Sequence, residues 1–306
     1  MNKWLRRILI VLAVLLVLGG GAYYWLILES GTPSRAYTLD IKEIRRLADS
    51  LPGDKVLNIH DEHVAAFSFP ANAVLAGDGW QPVPMTVFSY KINFANGGSA
   101  LIDTGVTARG AQQMGTGLDV AAAQSVRAGI KFASLIVVTH EHNDHIGGLL
   151  GFTFLHAEMQ SGRVKLNAEQ LANLERYNPG YHKEAFVGYQ PITYDKYLAI
   201  APGMVLIRSP GHTPGSQMVF VKTASGQEFL FIGDVAWTMR NIDQARERAR
   251  LVTQFFLGED RDAVLSELAA LNALKKAEPN IHIVPGHDLQ AVTALEQAGL
   301  IVKGFR

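Results

Sequence analysis

The chain has 306 residues, enough for one large domain or two small ones with a substantial buried core. Its 28 Lys and Arg balance its 28 Asp and Glu, so the formal net charge is zero, and no long basic run occurs. This charge pattern argues against nucleic acid as a partner. Cysteine is absent, which excludes disulfides, thiolate metal ligands and a cysteine nucleophile, and which fits an oxidising compartment.

The N-terminal sequence predicts a membrane-spanning helix. Residues 8–28 carry no charge and are long enough for a helix of about 30 Å, which matches the hydrocarbon core of a bilayer. Basic residues before this run favour a cytoplasmic N-terminus, and aromatic residues near its end are typical of an interface: Lys3, Arg6 and Arg7, then Tyr23, Tyr24 and Trp25. We therefore expect residues 1–30 to be a single-pass anchor in the inner (cytoplasmic) membrane, with the remaining chain on the periplasmic or extracellular side. A cleaved signal peptide is the alternative.

Residues 31–55 are expected to form a linker and one short helix. The segment 29–35 contains Gly31 and Pro33 and is typical of a linker. Apolar residues then recur at helical spacing, which predicts an amphipathic helix over 40–50. Residues 56–306 are expected to form one domain, because they show no internal repeat, low-complexity segment or second composition regime.

From Val56 onward the pattern alternates between strands and helices. Alternating or continuous apolar runs predict strands at 85–94, 99–103, 135–138, 204–208, 218–221, 228–232 and 281–284. Helical spacing predicts helices at 120–130 and over a long region from 242 to 277. This order of elements is that of an α/β protein.

The residues best suited to chemistry follow the predicted strands. They are Asp103, the stretch His140–His145, His212, Asp234 and His287. Because packed sheets hold strand ends rigidly, loops at those ends can be positioned accurately. We therefore expect these side chains to form a metal pocket at one edge of the fold.

The stretch His140–His145 is the most informative in the chain. It places three imidazoles and a carboxylate within six positions, and both groups are preferred ligands of zinc and similar metals. The ligand candidates in it are His140, His142, Asp144 and His145, whereas Glu141 and Asn143 should point away. Five further histidines match no motif and are interpreted as surface or core residues: His60, His63, His156, His182 and His282.

Five motifs occur in order: Asp103-Thr104-Gly105, His140-x-His142-x-Asp144-His145, Gly211-His212-Thr213-Pro214-Gly215-Ser216, Gly233-Asp234 and Pro285-Gly286-His287. Together they resemble the metallo-β-lactamase superfamily of metal-dependent hydrolases, over roughly residues 56–290. The resemblance implies a four-layer αββα sandwich, in which two mixed sheets are faced by helices and a dinuclear site lies at one edge.

The resemblance also implies a role for each ligand. One metal would be held by His140, His142 and His212, the second by Asp144, His145 and His287, and Asp234 would bridge both. The cofactors would be two divalent ions, with Zn²⁺ the first expectation and Mn²⁺ or Fe as alternatives. Asp103 is expected to accept a ring N–H from a ligating histidine.

These residue types are suited to hydrolysis. Two divalent ions about 3.5–4 Å apart share a water and lower its pKa, which gives a metal-bound hydroxide near neutral pH. We expect this hydroxide to attack the carbonyl of a small-molecule ester or lactone, with Asp234 bridging the ions. Asp144 is expected also to carry a proton to the leaving group.

Within the superfamily, the sequence around residues 209–217 and 233–242 looks most like the acyl-homoserine-lactone lactonase branch. One departure is Trp237, which stands where those lactonases commonly carry a tyrosine and which offers only an N–H donor. Trp237 is therefore a candidate substrate-pocket residue, and the departure favours a broader esterase or lactonase role. The alternatives are a serine-type β-lactamase branch, a thioester hydrolase, or a metal-binding membrane protein without enzymatic activity.

The segment 158–200 is rich in Tyr and Phe. We expect it to lie over or beside the metal site and to line an apolar substrate groove, with ordinary packing of a surface subdomain as the alternative. Residues 242–257 are expected to form another wall of this groove.

Overall fold

A computed structural model of the chain describes residues 2–305. Met1, the first residue of the predicted anchor, and Arg306, the last residue of the predicted domain, lie outside the described residues. The proposed domain boundaries at 30 and 55 stay predictions.

Within residues 2–305 the α-helices are α1 Lys3–Tyr23, α2 Ile41–Ala48, α3 Ala71–Val74, α4 Ala108–Met114, α5 Val120–Phe132, α6 Asn143–Leu150, α7 Leu155–Gln160, α8 Ala168–Tyr177, α9 Met239–Asp243, α10 Arg261–Ala277 and α11 Leu289–Gln297. Tyr24–Leu28 and Leu251–Leu257 are π-helical, and Lys183–Phe186 and Gly233–Val235 form 3₁₀ turns. The strands are β1 Val56–Pro70, β2 Pro82–Phe94, β3 Ser99–Ile102, β4 Gly117–Leu118, β5 Leu135–Val137, β6 Val164–Lys165, β7 Tyr197–Ala201, β8 Met204–Arg208, β9 Gln217–Lys222, β10 Glu228–Phe231, β11 Ile281–Val284 and β12 Val302–Lys303.

The strands form two mixed sheets. The first has the order β12-β1-β2-β3-β5-β6, with β4 also paired to β1, and the second has the order β11-β10-β9-β8-β7. Parallel pairs such as β3–β5 and β10–β11 occur beside antiparallel pairs such as β1–β2 and β8–β9. This arrangement agrees with the mixed sheets expected from the motifs.

Three layers of apolar contacts hold the sheets and helices together. Between the sheets, Ile92 and Val137 of the first sheet belong to the same buried cluster as Val219 and Phe231 of the second. A second cluster joins the outer face of the first sheet to α5, α6 and α8, and a third joins the outer face of the second sheet to α2 and α10. The expected four-layer αββα sandwich is confirmed.

Most of the predicted elements are present, and the helical region predicted from 242 to 277 consists of separate pieces: the end of α9, the π-helical segment Leu251–Leu257 and α10. α9 ends at Asp243, Ala245 adopts a left-handed φ of 46°, and a π-helical segment ends at Gly258 with a φ of 71°. A new helix, α10, then starts after Asp260, whose side chain accepts a hydrogen bond from the Ala263 backbone N–H. Charged residues between these pieces, such as Arg248, lie in the interior.

The predicted linker at 29–35 is fixed to the rest of the protein. Glu29 forms ion pairs with Arg250 and Arg261, and the Ser30 hydroxyl donates to Glu247 at 2.7 Å. Ser34 donates its backbone N–H to Asp262 at 2.6 Å. Gly31 and Pro33 thus mark a turn-rich segment that is packed against the protein, which their conformational preferences alone did not indicate.

The strand ends place the candidate ligands along one edge. β5 leads into the stretch at 140–145, which continues into α6, and β10 leads directly into the turn at Gly233–Val235. The C-terminal half of α6 packs on the turn that follows β3: the Gly148 backbone N–H donates to the carbonyl of Gly105, and a Cβ on Gly148 would lie 2.0 Å from the Thr104 carbonyl oxygen. Only glycine allows this close approach.

We predict that Gly148→Ala destabilises the protein by about 1–3 kcal/mol, because the added methyl group must displace the backbone at Thr104. Gly117→Ala is the matched control, since a Cβ there meets no atom within 4 Å. Urea unfolding measures the free energy of unfolding of each variant relative to the natural protein. Equal stability of both variants would contradict the proposed contact.

Candidate metal centre

The structure brings all seven predicted ligands together. Potential ligand atoms lie within 4.8 Å of one another in each of two groups: His140, His142, His212 and Asp234, and Asp144, His145 and His287. Most of these side chains are buried, whereas Asp144 and His142 are partly exposed towards a cavity. The convergence that the motif order predicted is therefore present.

Asp234 lies between the two groups. Its Oδ2 is 3.5 Å from His212 Nε2 and 4.0 Å from His140 Nε2 in the first group. Its Oδ1 is 3.4 Å from His145 Nε2 and 3.2 Å from His287 Nε2 in the second. One carboxylate thus contacts both sets of imidazoles, as a bridging ligand must.

The donor set fits divalent metal ions. His145 Nε2 and Asp234 Oδ1 are buried and have no hydrogen-bond partner within residues 2–305. Leaving a buried polar atom without a partner costs about 1–3 kcal/mol, and a cation between these atoms would remove that cost. Imidazole nitrogen and carboxylate oxygen suit zinc and also admit manganese or iron.

The histidines differ in their electrostatic environment. Burial, with a smaller contribution from neighbouring imidazoles, holds the pKa of His140 and His142 well below the usual value. Burial acts in the same direction on His145, but three carboxylates, with Asp103 the strongest, outweigh it and raise its pKa well above the usual value. His140 and His142 therefore favour the neutral imidazole, which is the metal-binding form.

Asp103 orients His145 as expected. Its Oδ2 lies 2.8 Å from His145 Nδ1, while its two oxygens also accept the backbone N–H of Thr139 at 2.6 Å and the Thr139 hydroxyl at 2.9 Å. Asp103 adopts a φ of 60°, in the left-handed region that Asp and Asn tolerate better than most residues. The contact leaves His145 Nε2 directed at the ligand groups.

Two other histidines of the candidate ligand groups are held at Nδ1 by residues that the sequence did not indicate. His212 Nδ1 is 2.5 Å from the buried carboxylate of Glu259, and His287 Nδ1 is 2.9 Å from the Thr86 carbonyl oxygen. Arg248 pairs with Glu259 and donates to the Asp234 carbonyl oxygen at 2.9 Å. No motif contains these partners, and Arg248 and Glu259 lie between the helical pieces of the region 242–277.

Trp237 lies beside the ligands. Its Nε1–H donates to Asp234 Oδ2 at 2.7 Å, its ring stacks on Phe69 with centroids 5.4 Å apart, and the Arg248 guanidinium lies 4.8 Å from the ring centroid. Trp237 also lines a cavity over these residues, and its role in a substrate pocket stays a prediction. Its single N–H is already directed at the carboxylate between the two histidine groups.

A cavity of about 660 Å³ opens over the ligands. Its walls are mainly apolar, and the aromatic and aliphatic residues among them are Phe67, Phe69, Met114, Trp237, Phe256 and Leu257. The expected contribution of residues 242–257 is therefore confirmed at its C-terminal end. The cavity is large enough for a small ester or lactone with an acyl chain.

The segment 158–200 does not line this cavity. Tyr177 contacts the His142 ring, with centroids 4.4 Å apart, but Phe186 and Tyr189 are buried in the core beneath the helices of the first sheet. The expectation of an aromatic groove from this segment is wrong, and ordinary packing accounts for most of it. The aromatic walls come instead from β1 and from the π-helical turn.

The remaining polar residues near the motifs lie as expected. The Glu141 carboxylate points away from the ligands and accepts the Thr213 hydroxyl at 2.8 Å, and Asn143 donates to Asn178 at 3.0 Å. The five histidines outside the motifs have other partners: His60, His63, His156, His182 and His282. His63 belongs to a separate group, in which its Nε2 lies 2.8 Å from an oxygen of Asp61 and 2.8 Å from one of Glu296.

We predict that Asp103→Asn weakens metal binding by about 10–100-fold, because the neutral amide no longer fixes and polarises the His145 ring. Asn also tolerates the left-handed backbone at this position, so the substitution tests the charge and not the turn. Competition with a chelator of known affinity measures the loss. Asp195→Asn, outside the site, is the control, and unchanged affinity in Asp103→Asn would contradict the contact.

Glu267 links the histidine loop to α10. It accepts the Gly211 backbone N–H at 3.1 Å, and its complete burial raises its pKa to about 8. Because the folded protein retains this proton to higher pH than the unfolded chain, the stability that it contributes falls as pH rises from about 4.5 to about 8.

We therefore predict that Glu267→Gln, which cannot ionise, gains stability relative to the natural protein as pH rises from 5 to 9. The full shift in the pKa of Glu267 corresponds to a gain in the free energy of unfolding of up to about 5 kcal/mol. Urea unfolding at pH 5 and at pH 9 measures the difference in the free energy of unfolding between the variant and the natural protein. Glu184→Gln, at an exposed position, should show no such trend, and a constant difference for Glu267→Gln would contradict the buried protonated carboxyl.

Comparison with known proteins agrees with this geometry. The family model described as the metallo-beta-lactamase superfamily matches residues 82–287. N-acyl homoserine lactonase AiiA of Bacillus thuringiensis subsp. kurstaki is 27% identical over 161 residues, which are 51% of this chain and 56% of that protein. A probable metallo-hydrolase of Mycobacterium tuberculosis is 30% identical over 169 residues, 50% of this chain and 54% of that protein. The chain thus spans about half the length of the curated relatives it matches.

Solved structures show the same fold. An N-acyl homoserine lactone hydrolase, with the product N-hexanoyl-L-homoserine at its catalytic metal centre, superposes with a TM-score of 0.60 at 20% identity, over 78% of this chain and 96% of that chain. A probable metal-dependent hydrolase of Staphylococcus aureus superposes with a TM-score of 0.56 at 13% identity. The superposition covers 78% of this chain and 91% of that chain. The matched family model, the order of the ligands and the two-sheet fold together establish that this chain belongs to the metallo-β-lactamase superfamily.

Proposed function

We propose that the chain is a dinuclear metal-dependent hydrolase that cleaves a small-molecule ester or lactone. The observation that carries this proposal is the position of Asp234 between two complete groups of ligands. Its relatives are named lactonases and metallo-hydrolases, which supports the same reaction class here.

In this proposal His140, His142 and His212 hold one ion, Asp144, His145 and His287 hold the second, and Asp234 contacts both. Zn²⁺ is the proposed ion. Two such ions would supply Lewis acidity and lower the pKa of a shared water, which provides the nucleophile. The buried contacts of Asp103 and Glu259 keep the imidazoles in place without movement during the reaction.

The chain's own residues then bind the substrate and move the proton. Asp144 is partly exposed at the cavity wall, so its carboxylate can accept a proton and deliver it to the leaving alcohol. The apolar walls, which include Phe67 and Trp237, hold the acyl part and exclude water. Trp237 Nε1–H donates to Asp234 and orients that carboxylate, so in this structure it is directed at the ligand and not at a substrate carbonyl.

We also propose that the protein is anchored in the inner membrane by its N-terminal helix, with the metal centre on the periplasmic or extracellular side. Lys3–Leu28 has a mean hydropathy of 2.2 in its most apolar window, and none of that window is buried. A helix whose apolar side chains are exposed in this way requires an apolar surrounding.

We predict that the purified full-length protein hydrolyses members of a panel of esters and lactones, loses this activity with a strong chelator and regains it with Zn²⁺ or Mn²⁺. Asp234→Ala should lower kcat/KM by at least about a thousandfold, or about 4 kcal/mol, because the bridging ligand is lost. His282→Ala, outside the site, should keep full activity.

The same panel decides between the alternatives. It includes β-lactams and thioesters. If the protein hydrolyses only these compounds, the proposal of an ester or lactone substrate is wrong. Activity that survives complete metal removal would contradict the mechanism. Metal-loaded protein that is inert on every compound would favour a binding protein without enzymatic activity.

A further inference from the structure

The segment that follows α1 is held rigidly against the folded protein. The backbone carbonyl oxygens of Ile27 and Leu28 accept hydrogen bonds from the Gly77 backbone N–H at 2.9 Å and from Arg246 at 2.8 Å. Together with the ion pairs of Glu29, these contacts fix the direction in which α1 leaves the protein. The face of the protein that surrounds this exit is therefore also fixed relative to the helix.

That face carries an unusual group of exposed apolar side chains, which we call the aromatic rim. Its members and their exposed fractions are Trp25 46%, Trp80 65%, Leu251 45%, Phe255 63% and Phe256 70%. Trp25 lies edge-on to Phe255, with ring centroids 6.1 Å apart, and Trp80 stacks on Tyr23 at 6.5 Å. Contacts with the end of α1 thus link the rim directly to the predicted membrane span.

The aromatic rim is continuous with the mouth of the cavity over the metal ligands. Phe256 belongs to the rim and also lines the cavity, next to Leu257. Leu257 and Val252 pack against the cluster that contains Trp237, which donates to Asp234. Apolar side chains therefore occur from the end of α1, through Trp25, Phe255 and Phe256, to the cavity that Asp234 lines.

We propose that the aromatic rim lies in the surface of the bilayer that α1 spans, and that the cavity takes its substrate from that bilayer. The inference rests on the proposed membrane anchorage and deepens the proposed hydrolase function. It assigns the substrate class: a carboxylic ester or lactone with a long acyl chain, which partitions into the membrane.

The position of the aromatic rim at the end of α1 supports its contact with the lipid surface. Tryptophan and tyrosine favour the headgroup region, and Tyr23, Tyr24 and Trp25 occupy that level at the end of the 21-residue α1. Because Phe255 is in ring contact with Trp25, the π-helical turn Leu251–Leu257 lies at the same depth. Arg250 places its guanidinium 4.7 Å from the Trp25 ring centroid and pairs with Glu29, so its charge is compensated at this depth.

The arrangement has a direct consequence for catalysis. An acyl chain can remain in apolar surroundings while its ester group moves along Phe256 and Leu257 towards the metal ligands. The substrate then reaches the cavity at its concentration in the membrane, which far exceeds its concentration in water. A short-chain, water-soluble ester enters the same cavity without this advantage.

The first experiment measures depth directly and does not depend on activity. The chain has no cysteine, so a single cysteine at position 255 can carry a nitroxide label in the full-length protein in phosphatidylcholine and phosphatidylglycerol vesicles. Phe132→Cys is the matched control, because Phe132 is 74% exposed on the helical layer of the first sheet. We expect the label at 255 to be reached by oxygen from the lipid and that at 132 by a water-soluble nickel complex.

If the protein sediments with the vesicles but the two labels are equally accessible from water, the inference is wrong. The proposed membrane anchor would still stand. Protein that does not associate with vesicles at all would overturn both the anchor and the inference. Neither result bears on hydrolysis of soluble compounds, which tests the proposed function separately.

The second experiment compares substrates. We expect the double substitution Trp80→Ser and Phe255→Ser to lower kcat/KM about tenfold for a long-chain ester presented in vesicles, and to leave hydrolysis of a short-chain soluble ester within twofold. Phe132→Ser should change neither. An unchanged long-chain rate, or an equal loss for both substrates, would contradict delivery through the rim.

Discussion

The arrangement of the site depends on one buried carboxylate. Asp234 contacts imidazoles of both ligand groups, and burial of its charge is tolerable because those imidazoles surround it. Its position requires two close backbone approaches. A Cβ on Gly286 would lie 2.2 Å from Asp234 Oδ1, and Gly233, with a φ of 50°, has Thr139 within 2.7 Å of its Cβ position. The glycines of both motifs are therefore needed to bring the β10 and β11 ends around the carboxylate.

A second feature of the site is that different elements hold the Nδ1 atoms of the ligating histidines. Asp103, after β3, binds His145, Glu259 before α10 binds His212, and the carbonyl of Thr86 in β2 binds His287. The first sheet and the helical layer on the second sheet thus fix the orientation of the rings. Ligands that are oriented before metal binding lose little further freedom when the ion arrives, which favours affinity and a defined geometry.

Arg248 connects this ligand support to the substrate cavity. It pairs with the same Glu259 that holds His212, donates to the Asp234 carbonyl oxygen and stacks its guanidinium on Trp237. The residues that follow it form the π-helical turn whose C-terminal end lines the cavity and whose exposed side reaches the end of α1. One short segment therefore participates in the metal centre, the cavity wall and the approach to the proposed membrane surface.

The sequence by itself identified the seven ligand candidates and Asp103, and the resemblance of its five motifs to a known superfamily gave the expectation of a four-layer sandwich. These features are local: each ligand stands in a short motif directly after an apolar run, and the strand pattern repeats within a few residues. Only the tertiary structure decided that Glu259 holds His212, that β1 and the π-helical turn supply the aromatic walls, and that the predicted helical region from 242 to 277 is divided into separate pieces. Glu259 is 47 residues from His212, and Phe69 is 168 residues from Trp237, so no periodicity in either segment records the pairing. Such contacts arise because the packing of the two sheets brings distant loops to one edge, where burial, and not local propensity, selects the partner of each polar group.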